Sequence, residues 1–232
     1  MPDGGPTLGT VPTVPSMPPG PDADSAPADS APSDGDHYFS AEPASAAERR
    51  TLDVHLAGRD LTVQTASGIF SPGRVDLGTQ VLLRSVPAPP PAGNLLDLGC
   101  GWGPIAVTLA LLAPGATVWA VDVNTRALDL LRHTIRDLGL ENVVAVGPDD
   151  VPDDVLFAAV WSNPPIRVGK EVLHGMLGRW LRRLTPEGQA HLVVQRNLGA
   201  DSLQRWIVTE LGLPTERVAS AKGFRVLRVS PA

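Results

Sequence analysis

A chain of 232 residues with 43% apolar composition suits one full-sized domain plus an appendage, and no apolar run approaches the ~20 residues that a membrane span requires. The formal charge of −6 is unevenly spread: residues 1–36 hold six aspartates and no lysine or arginine, residues 37–166 hold 8 basic against 14 acidic side chains, and residues 167–232 hold 11 basic against 5 acidic. A single cysteine, Cys100, excludes an internal disulfide and fits a reducing cytosol, while His37, His55, His133, His174 and His191 lack metal-ligand spacing, so no metal is expected.

Residues 1–36 are dominated by Pro, Ala, Ser, Asp and Gly without an aromatic side chain, and predict a disordered tail that buries too little surface to offset the entropy of ordering. They lack the basic start and apolar centre of a signal peptide, so a cytoplasmic location is expected. His37-Tyr38-Phe39-Ser40 is the first aromatic cluster and the expected start of a folded domain over 37–232. Leu52–Leu56 and Leu61–Thr65 alternate apolar with polar residues around Ala57-Gly58-Arg59-Asp60, the pattern of a small hairpin. Val75–Leu83 has the spacing of a short helix, and Pro87–Pro91 ends this N-terminal part near residue 90.

From residue 91 onward the pattern alternates. Strands are expected at Leu95–Leu98, Ala116–Val121, Val143–Val146, Val155–Trp161 and His191–Val194. Helices are expected at Pro104–Leu112, Ala127–Leu138, about Lys170–Leu184 and Ser202–Leu211. Val218-Ala219 and Phe224–Val229 close the chain as a hairpin around Ser220–Gly223. Apolar strands alternating with helices predict an α/β fold whose parallel sheet is covered on both faces, with one antiparallel strand from the hairpin. Ligands of such sheets bind beyond the carboxyl ends of the strands, where Asp97–Gly103, Asp122, Asp149 and Asn163 fall.

Two stretches at those ends carry chemistry. In Asp97-Leu98-Gly99-Cys100-Gly101-Trp102-Gly103 the glycines permit a sharp turn and close approach of a ligand, and the following helix start favours an anionic group. The order is G-x-G-x-G rather than the G-x-G-x-x-G of nicotinamide-binding folds, and Asp122, ending the next strand, is placed to accept both hydroxyls of a ribose. Cys100, between two glycines, reads as a small filler rather than a nucleophile, and Asp149 and Asp150 read either as receivers of an adenine amine or as solvated loop acids. The second stretch, Asn163-Pro164-Pro165-Ile166, leaves its strand stiff and extended and lacks two N–H donors. It presents carbonyl acceptors beside one side-chain amide, a shape that either grips a planar group bearing an NH2 or merely closes a strand.

These residues resemble a family. Asp97–Gly101, Asp122 and Asn163–Ile166 are similar to class I S-adenosylmethionine-dependent methyltransferases that modify planar amino groups. Gly68–Ser71, Asp76–Thr79, Val121–Asn124 with Arg126–Leu128, and Arg167–Lys170 resemble the methyltransferase small domain group, which includes the 16S ribosomal RNA guanine-N2 methyltransferases. The resemblance implies a Rossmann-like class I methyltransferase fold over 91–232, with a mostly parallel seven-stranded sheet. It implies S-adenosylmethionine held by Asp97, Gly99, Cys100, Gly101, Asp122, Val123, Asp149 and Thr79, and catalysis at Asn163, Pro164, Pro165 and Ile166. Ribosomal RNA or a ribosomal subunit is the implied partner; Arg167, Lys170, Arg196 and Lys222 fall at or just beyond strand ends on the face of Asn163, where they either hold phosphates or only solubilise the surface, and Phe70 or Phe224 is expected to supply the stacking that Ile166 lacks. Three departures stand out: Ile166 replaces a common aromatic residue, Thr134 replaces a common asparagine, and a short tail stands where larger rRNA enzymes carry a degenerate second copy of the domain. Methylation of a protein glutamine or a DNA adenine, and a non-catalytic S-adenosylmethionine- or RNA-binding module, are the competing readings.

Overall fold

The computed structural model describes residues 48–232; the expected tail over 1–36 and the docking cluster His37–Ser40 lie outside them. β1 (Arg50–Leu56) and β2 (Arg59–Thr65) form the expected antiparallel hairpin as a separate two-stranded sheet. Its tight turn places Ala57 and Gly58 at φ 49° and 75°, the left-handed pair that suits the twist of a two-residue hairpin loop. Thr134, a departure from the family pattern, has a local task here: its hydroxyl accepts a 2.9 Å hydrogen bond from the Gln64 amide and ties the hairpin to the domain.

The main sheet contains β3 (Ala92–Leu98), β4 (Gly115–Val121), β5 (Val143–Val146), β6 (Phe157–Ser162), β7 (Leu184–Gln195), β8 (Thr215–Ala221) and β9 (Phe224–Val229). Their spatial order is β5-β4-β3-β6-β7-β9-β8, all parallel except β9, which runs antiparallel to both neighbours. This is the seven-stranded arrangement that the resemblance implies. The chain leaves β3 toward β4 and β5, then returns to β3's other side with β6, so the switch point lies between the carboxyl ends of β3 and β6.

α1 (Leu77–Ser85), α2 (Pro104–Leu112) and α3 (Thr125–Leu138) are served by one core, and α4 (Lys170–Leu181) and α5 (Ala200–Glu210) by another. Successive strand residues point to opposite faces, so Leu95, Trp161, Val193 and Val226 join the first core while Leu96, Val160, Leu192 and Leu227 join the second. Unbroken apolar strand sequences follow from burial on both sides.

Several boundaries move. α4 stops at Leu181 rather than Leu184, and β7 starts at Leu184 instead of His191, with a register shift opposite Phe157 and Ala159. Thr185-Pro186-Glu187-Gly188 hides this strand start from pattern reading because it carries no apolar alternation. β6 begins at Phe157, two residues later than expected. β8 is longer than Val218-Ala219; as an edge strand it is largely exposed and carries Glu216 and Arg217, charges that discourage pairing with another chain. Among the described residues no helix is long and apolar enough to cross a membrane, and no three His, Cys, Asp or Glu side chains converge as a metal site.

Candidate active site

The glycine loop folds over the end of β4. Gly99 and Cys100 both donate to the Val121 carbonyl, at 2.8 and 3.1 Å, and Gly99 and Gly101 take φ of 74° and 53°, which a side chain would strain. Asp122 receives the turn with both oxygens: Oδ2 accepts from Gly101 N at 2.8 Å and Oδ1 from Asn124 N at 2.8 Å. The carboxylate is thereby aimed, with lone pairs left for further donors. A Cβ built on Gly101 meets nothing within 4 Å, so open space lies over the loop, and one built on Gly99 comes 3.9 Å from Pro165 Cδ. The two motifs are neighbours. That open cradle, with an anchored acid at its rim, fits a nucleoside-bearing cofactor with ribose hydroxyls at Asp122.

Asp97 lies wholly buried beneath the loop, its Oδ2 accepting from Ala106 N at 2.8 Å and its Oδ1 without a hydrogen-bond partner among the described residues. Burial pushes its pKa up to about 8, opposed by the Ala106 N–H and reinforced by the charge of Asp122. The folded value thus lies above the unfolded one near 3.8, and the folded state holds a proton that the unfolded chain gives up. Stability is therefore full below the lower value and declines as pH rises toward the upper one. Asp97→Asn removes this titration, so the melting temperature of the variant changes less than that of the wild type between about pH 4 and about pH 8. Parallel melting curves across that range would rule out the buried proton.

Asn163 stands at the end of β6, where Ser162 Oγ donates to Leu98 O at 2.7 Å and clamps β6 to β3 beside the glycine loop. The Asn163 amide is oriented by its surroundings: Nδ2 donates to Asp76 Oδ2 at 2.9 Å and to Thr79 Oγ1 at 3.1 Å. A carboxylate oxygen only accepts, so the nitrogen must face Asp76 and Oδ1 must face the other way. Asp76 is also the N-cap of α1, its Oδ2 accepting from Gly78 N at 2.8 Å and Thr79 N at 3.4 Å. A Cβ on Gly78 would lie 2.9 Å from Phe224 Cε1, 3.0 Å from Asp76 Oδ2 and 3.2 Å from Asn163 Oδ1. Only glycine fits there, which lets the Phe224 ring edge, the Asp76 carboxylate and the Asn163 amide oxygen close in on one point.

The remaining residues spread along the same edge. Thr79 touches Asn163 through its hydroxyl. Cys100 is buried with its thiol pushed well above the ordinary value, by burial first and by Asp122 and Asp97 next, and remains a neutral filler. Val123 is 67% exposed beside Asp122, an apolar surface at the cradle's rim. Asp149 pairs with Arg179 at 2.8 Å in an exposed position, and Asp150 accepts from Gly147 N at 3.1 Å. Pro164 is buried and Pro165 exposed, while Ile166 packs against the core under α4, which leaves the aromatic surface beside Asn163 to Phe224. Phe70 is exposed next to Ser71, whose carbonyl accepts from Trp102 Nε1 at 3.3 Å and brings that loop to the glycine turn. Arg167, Lys170, Arg196 and Lys222 are all exposed. Asp76, Gly78 and Ser162 have roles in the site that local sequence does not announce, since each depends on a partner far along the chain.

Comparison with known proteins bears on this arrangement. The family described as methyltransferase small domain matches residues 60–228. The chain is 33% identical over 196 residues to YbxB, an uncharacterised protein of Bacillus subtilis (strain 168), covering 83% of this chain and 97% of that protein. It is 34% identical over 192 residues to ribosomal RNA small subunit methyltransferase C of Pseudomonas aeruginosa (strain LESB58), covering 80% of this chain and 56% of that protein. A solved structure of a T. thermophilus 16S rRNA N2 methyltransferase, in complex with AdoMet and guanosine, superposes with a TM-score of 0.70 at 23% identity, covering 79% of this chain and 51% of that one. The chain thus spans nearly all of the Bacillus protein and about half the length of the two rRNA enzymes.

Proposed function

The chain belongs to the methyltransferase small domain family, and we propose that it is an S-adenosylmethionine-dependent N-methyltransferase acting on the exocyclic N2 amine of a guanine in ribosomal RNA. The observation that carries this reading is the Asn163 amide, whose nitrogen is held by Asp76 and Thr79 so that its oxygen is turned away from them, near Phe224 and next to the glycine loop. The kinship with a ribosomal RNA small subunit methyltransferase at 34% identity supports the choice of substrate.

S-adenosylmethionine, when bound, supplies an electrophilic methyl group on a positively charged sulfur. Gly99 and Gly101 let the backbone approach it, Asp122 accepts its ribose hydroxyls, and Val123 offers an apolar surface to its base. Asp97 shapes the loop from below through Ala106. On the substrate side, Asn163 Oδ1 and the Pro164 carbonyl accept the two N–H hydrogens of the target amine. An aromatic amine is a poor nucleophile because its lone pair is delocalised into the ring; holding both hydrogens directs that lone pair. Each hydrogen bond contributes only about 1 kcal/mol net, whereas fixing two reactants in line supplies roughly 7–11 kcal/mol. Placement is the main catalytic effect, and no strong base is required because the amine sheds its proton after the new N–C bond forms.

The same amide cradle suits a glutamine side chain or an adenine. The basic balance of residues 167–232 favours a polyanion over a protein. Labelled-methyl transfer to bulk rRNA, unmethylated DNA and translation factors separates the readings. Label in rRNA is the expected result; label confined to protein or DNA would refute the substrate assignment, and none in any of the three would refute catalysis.

A further inference from the structure

We propose that a cleft at the tip of the β8–β9 hairpin binds a backbone phosphate of the RNA next to the target base; the proposal rests on the reading of this chain as an RNA-modifying enzyme. The cleft is an open concavity of about 260 Å³ lined by Arg196, Arg217, Ser220, Lys222, Phe224 and Arg225 among others. It lies on the ligand edge of the sheet, because the end of β7 pairs with the start of β9 through Gln195 and Phe224. Arg196 N donates to Gly223 O at 2.8 Å, which fastens the chain leaving β7 against the hairpin tip. Lys222 and Gly223 occupy the turn at φ 50° and 82°, a two-residue loop that fixes where the lysine emerges.

Charge compensation divides these cations. Arg225 pairs with Asp201, and Arg228 on the same strand pairs with Glu216. Arg196, Arg217 and Lys222 have no carboxylate within ion-pair distance among the described residues. Three uncompensated positive groups facing one concavity create a potential that an anion relieves, and guanidinium forks match phosphate oxygens in pairs. Ser220 adds a hydroxyl to the same wall. Phe224 makes the cleft more than a solvated patch: it lines the cleft, and its Cε1 and Asn163 Oδ1 both close in on Gly78, so the ring links the cleft to the Asn163 amide. A nucleotide whose base meets Asn163 across this ring therefore has a phosphate neighbour within reach of the cations. Asp122 sits on the other side of Asn163, after β4, so the basic cluster at the hairpin is separated from the acid of the glycine loop.

The test compares wild type with Arg217→Gln/Lys222→Asn. Glutamine keeps part of the arginine stem, and asparagine tolerates the left-handed turn, so the hairpin is retained. Arg217→Gln alone serves as a second variant that leaves the turn untouched, and Arg59→Gln in the N-terminal hairpin controls for general loss of charge. Binding of a fluorescent single-stranded RNA is followed by anisotropy from about 50 to about 200 mM salt, with S-adenosylmethionine affinity measured by calorimetry. The double variant is expected to bind RNA about tenfold more weakly at low salt, with the log–log salt slope reduced by about 0.7 for each phosphate no longer neutralised, and with cofactor affinity and the Arg59→Gln control unchanged. RNA affinity and slope equal to wild type in both cleft variants would overturn the proposal. So would a matching loss of cofactor affinity, which marks the hairpin as structural, or tighter wild-type binding of an acidic peptide, which marks the cleft as a carboxylate site. RNA binding is read without methyl transfer, so a protein that binds RNA through the cleft yet labels no rRNA overturns the enzymatic reading and leaves the cleft standing.

Discussion

Asn163→Ala is expected to slow methyl transfer by about 10²–10³, the usual cost of removing one oriented polar group at a reacting centre, while affinity for S-adenosylmethionine changes little. The asymmetry follows from the geometry. Alanine removes the acceptor oxygen turned away from Asp76, but Asp76 keeps both backbone donors, Gly78 N and Thr79 N, so the cap of α1 survives. Toward the glycine loop it is Pro165, not Asn163, that a side chain on Gly99 would meet. Single-turnover rates paired with calorimetry decide the point: equal losses in rate and in cofactor binding would make Asn163 a structural residue.

Asp122→Ala has the reverse signature. Two charge-assisted hydrogen bonds to ribose hydroxyls, at about 1.5 kcal/mol each or more, correspond to a loss of about 100-fold in cofactor affinity. The same change releases Gly101 N and Asn124 N from their acceptor and loosens the turn above β4. With saturating cofactor, methyl transfer is expected to return to within severalfold of wild type, because the amine-binding side is intact. Cofactor affinity unaltered by the substitution would remove the ribose role.

Features written in consecutive residues are legible in the sequence itself. Leu95 to Gly103 combines an apolar strand, three glycines and a helix start, and every part of that signal is local. Apolar strands alternating with helices likewise specify a mostly parallel sheet, and the closing hairpin specifies its antiparallel strand. Legibility fails where the deciding partner is remote. Asp76 and Asn163 are 87 positions apart, and only the folded chain shows that one carboxylate caps a helix and turns the amide. Arg217 escapes a reading by pattern because β8, an exposed edge, has no apolar alternation beyond Val218-Ala219 to mark its start. Phe224 and Ile166 illustrate the same limit: each packs partly against a core, on opposite sides of the sheet, and only the folded chain shows that Phe224 is the one whose ring edge comes up to Gly78 beside Asn163.

The central claim is that the Asn163 cradle receives the amine of a guanine. Its most direct test is nucleoside mass spectrometry of small-subunit rRNA incubated with the protein and methyl-labelled S-adenosylmethionine, with Asn163→Ala in parallel. Labelled N2-methylguanosine is predicted with wild type and sharply reduced with the variant. Label on another nucleoside, or N2-methylguanosine formed equally well without Asn163, would contradict it.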